Sequence, residues 1–391
     1  MCTSVVAGRR ATATGRVIVG HNEDDSGRPA VRHGYVPPRA FPPGSVMPAE
    51  AGHAAVPQVE RTFGFYWSEF KYLAKGGSSF CDSFVNDNGV LVCSNSARTE
   101  PPADEKAGLV DGGIGYNLRR ATAERATSAR HAVEVLTSLV ERWGYASPGR
   151  IYTLADSQEA WIVQVAHGRE RYVARRVPDD EVALIPNCYT IRSFREGDVR
   201  SPSLDGCAAD FDFARAFQGE TKWKAPVNQG RWRNLVRIFT GGEWPSDDYP
   251  FSVRPREKVD EALMRKALGT HYEGTPDEVP VGEDGTRHDE SCFAPICRRT
   301  TAESAVYVFG DSPRDLRVAR CLGPPCLGSY ETVFPLADPK ADPSVIGRLE
   351  RHNLPESAAP GANSGLRFDL VDDVLAPCAD FLTVALYANL V

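Results

Sequence analysis

Regular structure in this sequence comes in blocks, not in strict alternation, and that order limits the folds open to it. A β-branched run at Thr3–Ala7 turns through Gly8 to Gly15 into a second run, Arg16-Val17-Ile18-Val19-Gly20. The pair predicts a hairpin at the very start of the chain. Residues 80 to 94 predict another, around the turn Asn86-Asp87-Asn88-Gly89. Helical periodicity takes over from 117 to 143, where Ala129, Val133, Leu136 and Val140 mark one apolar face. Ser128 fits its N-cap and Gly144 its C-terminal stop. Strands are predicted at 150–154, 160–166, 171–176 and 182–185, and helices at 231–239 and 259–268. Strands return at 304–308, 316–319 and 332–334. Blocks in this order predict an α+β layered domain, not a chain of βαβ units. No linker or repeat divides the sequence, so residues 1–391 are expected to form one domain. Residues 26–61, rich in Pro and Gly, predict a long loop excursion, and 336–391 a C-terminal extension.

Charge and hydropathy narrow the function. The net charge is −7 and no basic stripe is present, which argues against a nucleic-acid partner. No stretch approaches the roughly 18 apolar residues of a membrane span. Met1-Cys2-Thr3-Ser4-Val5-Val6-Ala7 precedes Gly8-Arg9-Arg10, the reverse of a secretory signal, so a cytoplasmic protein is expected. Ten cysteines in such a chain are expected to be mostly reduced and buried, Cys81, Cys93, Cys188 and Cys207 among them. His131, His167 and His271 show no HExxH or paired ligand spacing, and no glycine-rich loop fits a nucleotide. No metal or cofactor is expected. His271 reads as structural, and homo-oligomer formation stays open.

The most informative position is Cys2. If Met1 is removed, the chain begins with a residue that carries a thiol and an α-amine on one carbon skeleton. The amine, with a pKa near 8, can take the thiol proton directly or through water. Gly20-His21-Asn22-Glu23-Asp24 ends the second strand of the hairpin, which brings Asp24 toward Cys2. A carboxylate there can orient the amine and tune its pKa. Asn95 and Asn187 each follow an apolar run and could donate to an oxyanion, though asparagine is as often a turn residue. Arg231 and Arg233, in Gly230-Arg231-Trp232-Arg233, could hold a carboxylate.

Together, Met1-Cys2-Thr3 and Asn22-Glu23-Asp24 resemble the cysteine dipeptidases of the dipeptidase A family, relatives of the secernins. These are N-terminal-nucleophile hydrolases, grouped with choloylglycine hydrolase and penicillin V acylase. Val85-Asn86-Asp87-Asn88-Gly89-Val90, the segment from Trp161 to Asn187, Gly230-Arg231-Trp232-Arg233, Tyr249-Pro250-Phe251-Ser252-Val253 and His271-Tyr272-Glu273-Gly274-Thr275-Pro276 resemble further family blocks in the same order. The resemblance implies a four-layer αββα sandwich, two antiparallel sheets between helix layers. It implies Cys2 as nucleophile, Asp24 as orienting acid, Asn187 as oxyanion or substrate ligand and Arg231 as a site arginine. His21, Asn22 and Asn95 would contact substrate, a dipeptide or small amide. His21 departs from the family, in which many relatives place arginine, and Leu327-Gly328-Ser329-Tyr330 lacks a common tryptophan.

Three other readings stay open. One is a non-peptide amidase of the choloylglycine hydrolase type. Another is a secernin-like protein without peptidase activity. The third is a metal-binding scaffold built on Cys292-x4-Cys297 and Cys321-x4-Cys326, whose spacing sits at the edge of zinc-ligand patterns.

Overall fold

The computed structural model describes residues 2–25, 29–48, 52–71, 79–100, 108–283, 285–288 and 295–351. Its strands are β1 Thr3–Ala7, β2 Ile18–Asp24, β3 Ala30–Val36, β4 Phe65–Lys71, β5 Ser79–Asn86, β6 Leu91–Ser96, β7 Tyr145–Ala155 and β8 Ala160–Gly168. They continue with β9 Tyr172–Arg176, β10 Val182–Ile185, β11 Val199–Arg200, β12 Ser252–Val253, β13 Thr301–Val308, β14 Arg317–Leu322 and β15 Glu331–Val333. The α-helices are α1 Asn117–Arg125, α2 Ala129–Trp143, α3 Phe213–Trp223, α4 Pro226–Thr240, α5 Glu261–Gly269 and α6 Pro343–Arg351.

Two antiparallel sheets result. The first has the order β12-β10-β1-β2-β13-β14-β15, the second β11-β9-β8-β7-β6-β5-β4-β3. Side chains alternate between the faces of a strand, so each sheet presents two apolar surfaces. Val6, Val19, Ile185 and Tyr307 of the first sheet interdigitate with Val85, Leu91, Ile151 and Ile162 of the second. The outer face of the first sheet, with Val5, Ile18 and Val306, meets Trp232 and Leu235 of α4 and Met264 and Leu268 of α5. On the far side, Phe84, Val92, Tyr152 and Val163 meet Leu118 of α1 and Leu136 and Val140 of α2. The layers therefore run helix, sheet, sheet, helix, the αββα sandwich.

Local chemistry explains several boundaries. Gly89 takes φ 73° in the β5–β6 turn, where a side chain would be strained. The Ser128 side chain accepts from the His131 backbone N–H and caps α2. The helical region 117–143 thus comprises two helices, the second beginning at the cap expected from the sequence. Gly20 lets α5 lie close on β2, since a Cβ there would stand 2.6 Å from the Met264 sulfur.

One expectation is corrected. The loop excursion over 26–61 contains β3, which pairs with β4 from Ala30↔Lys71 to Val36↔Phe65. Flanking Pro and Gly mask its short alternation, and β4 had no clear sequence signal of its own. Residues 26–28 and 49–51 of that excursion, and 352–391 of the expected extension, lie outside the described residues. Among the described residues, no helix is long and apolar enough to cross a membrane.

Candidate active site

The site grows from the first hairpin. In the β1–β2 ladder Thr3 lies opposite Asn22 and Ser4 opposite His21, so one further step sets Cys2 beside Glu23. Alternation then sorts the side chains. Cys2, Ser4, His21 and Glu23 face the second sheet, while Thr3, Asn22 and Asp24 face the helix layer of α4 and α5.

On the inner face, the Cys2 thiol donates to Glu23 Oε1 across 3.3 Å. Burial and the Glu23 charge push the thiol pKa up to about 12 while Met1 is still attached, against the pull of the Met1 amino terminus. The resting sulfur is therefore a thiol that needs a base. His21 Nε2 lies 3.4 Å from Glu23 Oε2. Burial works against a charged His21, but its hydrogen bond to Glu23 and the charges of Asp82, Glu23 and Glu303 raise its pKa on balance. Burial works against a charged Glu23 as well, yet the His21 hydrogen bond and charge hold it below the usual carboxylate value. Both shifts favour an imidazolium–carboxylate pair.

A polar chain joins this pair to the second sheet. Ser4 Oγ lies 2.8 Å from His21 Nδ1 and donates to Asn95 Oδ1 at 2.6 Å. Asn95 Nδ2 donates to the Ile185 carbonyl at 2.9 Å, tying β6 to the end of β10. Beneath them, Asp82 pairs with Arg119 at 3.1 Å and accepts from Ser94 Oγ, which in turn accepts from Arg150 Nη1. Buried charges of this kind persist only when paired and hydrogen-bonded.

Arg231, wholly buried, enters from α4. Its Nη1 donates to the Cys2 carbonyl oxygen at 3.0 Å and to Asn187 Oδ1 at 2.7 Å. Asn187 Nδ2 donates to the Ser96 carbonyl. An amide nitrogen carries two hydrogens, so this bond occupies one of them. Cys2, Arg231 and Asn187 are thereby brought together.

The helix-facing residues have different partners. Thr301 Oγ1 donates to Asp24 Oδ1 at 2.6 Å. Burial lifts Asp24 to about 6, opposed by the amino-terminal charge, Arg231, the Thr301 hydrogen bond and Arg298. Asn22 Nδ2 donates to the carbonyls of Leu268 and Ile296, so it fastens β2 to the end of α5 and to the segment before β13. Arg233 points elsewhere, into an ion pair with Asp277.

Sequence reasoning did not assign Glu23, Ser4, Asp82 or Arg150 to the site. Glu23 and Ser4 could have been found by taking the hairpin register and its alternation literally. Asp82 and Arg150 carry no such signal, because strands far apart in sequence deliver them. Cys81, Cys93 and Cys188 are buried cysteines and Cys207 is half-buried. Cys292 lies outside the described residues, and Cys297 and Cys326 gather with His271 and His288 rather than with Cys321. The histidines thus converge in space despite lacking any ligand spacing in sequence.

The model of peptidase family C69 matches residues 1–317. The chain belongs to peptidase family C69. Within that family it is 25% identical to a probable dipeptidase of Salmonella dublin, over 70% of this chain and 67% of that protein. It is 23% identical to dipeptidase A of Lactobacillus helveticus, over 81% of this chain and 70% of that one. Among solved structures it is similar to the C2A mutant of conjugated bile acid hydrolase from Clostridium perfringens. There the TM-score is 0.42 and the identity 10%, covering 86% of this chain and 93% of that one. In this C69 member the matched region reaches from Cys2 through the whole hairpin, Arg231 and β13.

Proposed function

We propose that this chain is a cysteine-type dipeptidase that works through Cys2 once Met1 has been removed. The observation that carries the reading is the setting of Cys2. It stands directly behind Met1, with its thiol on Glu23, its carbonyl on Arg231, and Asp24 at the end of the paired strand. Family membership and the named dipeptidases among its relatives support the choice of substrate class.

In the proposed reaction the α-amine of Cys2 takes the thiol proton as sulfur attacks the scissile carbonyl carbon. The C–N bond breaks, the amine returns the proton to the leaving nitrogen, and a thioester remains. Water, deprotonated by the same amine, then attacks the thioester, and the sulfur leaves and regains its proton. In this reading the second hydrogen of Asn187 Nδ2, with backbone N–H groups, stabilises the oxyanion, a contribution of about 3 kcal/mol where such a donor has been removed elsewhere. Asp24 orients the ammonium form of the amine, and the His21–Glu23 pair contributes charge beside the thiol. The hydrolysis draws on no metal.

The test is intact mass before and after iodoacetamide, followed by a panel of dipeptides and N-acyl amino acids. The expected result is a chain lacking Met1, activity lost on alkylation and in Cys2→Ala, and turnover confined to dipeptides with a free amine. Retention of Met1 in active enzyme, or normal turnover by Cys2→Ala, overturns the mechanism. Turnover of N-acyl substrates alone overturns the dipeptidase assignment.

A further inference from the structure

On the outer side of the first sheet, four side chains with no part in the proposed chemistry converge. His271 follows α5, His288 and Cys297 lie in the connection to β13, and Cys326 lies in the loop after β14. One ligand atom from each stands within 4.8 Å of the other three. Cys326 Sγ is 3.2 Å and Cys297 Sγ 3.8 Å from His288 Nε2. The two imidazole rings lie 5.2 Å apart, centre to centre.

The orientation of His271 is the second observation. Its Nδ1 meets Glu273 Oε1 at 2.9 Å, its buried Nε2 has no nitrogen or oxygen partner, and the ring interacts with the Cys326 thiol. A carboxylate on Nδ1 holds the proton there and leaves a lone pair on Nε2, the arrangement that carboxylates impose on metal-bound histidines. A cation between the ring nitrogen and the thiol would satisfy both.

We propose that His271, His288, Cys297 and Cys326 form a structural zinc site. Two thiolates and two imidazoles are the donor set that selects zinc over hard cations, and four protein ligands complete its tetrahedron. Ligand atoms around tetrahedral zinc stand roughly 3.3–3.8 Å apart, given bonds of about 2.0 and 2.3 Å. The present spacing therefore needs only a small inward movement. Three ligands are buried and Cys326 is exposed, which gives the ion a way in from one side. Full protein coordination leaves no open position, so the ion braces rather than catalyses. It would tie the α5–β13 connection to the loop after β14, next to the catalytic strand. Cys297 N donates to the Thr270 carbonyl, and the adjacent Ile296 carbonyl accepts from Asn22 of β2.

The test uses the full chain, purified under reducing conditions, loaded with zinc alone, desalted, and measured by elemental analysis. One zinc per chain is expected, and cobalt in its place should give the absorption of a tetrahedral, dithiolate-bound ion. Cys326→Ser, at an exposed position that should leave folding intact by circular dichroism, is expected to lose the stoichiometric zinc. Glu273→Gln should weaken binding about 10–100-fold. Cys292→Ser and Cys321→Ser should keep the ion. The proposal is overturned by a wild-type chain that retains no zinc, or by undiminished affinity in Cys326→Ser. It is equally overturned by a Cys297–Cys326 disulfide in the freshly isolated protein, or by zinc lost from Cys321→Ser but kept by His288→Ala.

Discussion

Arg231 Nη1 lies 3.0 Å from the carbonyl oxygen of Cys2, so a buried guanidinium holds the backbone of the residue that carries the thiol. The same nitrogen holds Asn187. Arg231→Lys keeps a charge but loses the planar fork that serves two acceptors at fixed angles. We expect kcat to fall by about 100-fold or more in this variant, the scale seen when a preorganised donor is lost. Steady-state kinetics with a dipeptide, alongside a melting curve, separates this loss from unfolding. Unchanged kcat would remove Arg231 from the machinery.

Glu23 raises the Cys2 pKa by its charge. Glu23→Gln keeps the side-chain shape and removes that charge. The expected outcome is an alkylation profile whose midpoint moves to lower pH, read from iodoacetamide rates across a pH series. His21 loses its carboxylate partner in the same variant, so its pKa should fall too. An unmoved alkylation midpoint would mean that the contact between thiol and carboxylate is absent in solution.

Asp24 titrates at about 6, above its ordinary 3.8. Its negative charge, which the proposed mechanism uses to orient the amine, is lost as the pH falls through about 6. The dipeptidase rate should therefore decline on the acid side with a midpoint near there, and Asp24→Asn should abolish that limb along with most of the rate. Stability runs the other way. A carboxyl whose folded pKa is raised binds its proton more tightly in the folded chain, so stability is lost as the pH rises from 3.8 through 6. Asp24→Asn is accordingly expected to melt at a higher temperature than wild type at pH 8.

Glu303 joins the two sheets. It lies 2.7 Å from Arg320 Nε of β14 and 2.7 Å from His33 Nε2 of β3. Burial opposes its charge, but His33 and Arg320 bring its pKa down to about 2 from 4.5. Burial and Arg320 lower His33, so at neutral pH it acts as an uncharged hydrogen-bond donor and Arg320 carries the charge. A carboxylate depressed in this way stabilises the fold above pH 4.5 and loses that contribution, about 3 kcal/mol, as the pH falls toward 2. Glu303→Gln, which leaves Arg320 buried without its counter-ion, is expected to cost about 3–5 kcal/mol in urea unfolding at pH 7. A smaller acid-dependent loss of stability in the variant would accompany it.

The local pattern of residues determined the elements and their chemistry. β-branched runs fixed β1, β2 and β10, Ser128 fixed the start of α2, and Cys2 behind Met1 marked the one position where a thiol and an α-amine can share a carbon skeleton. These are short-range properties, set by alternation, capping and covalent neighbourhood. Tertiary structure alone decided which residues meet. Strand alternation turned Glu23 toward Cys2 and Asn22 away from it, a distinction that depends on which face of β2 the second sheet covers. Arg231 reached Cys2 only because α4 packs across β1 and β10. His271, His288, Cys297 and Cys326, spread over more than fifty positions, met only where the α5–β13 connection and the loop after β14 converge beside one sheet. Contacts of that kind depend on how layers stack, and a one-dimensional pattern carries no record of stacking.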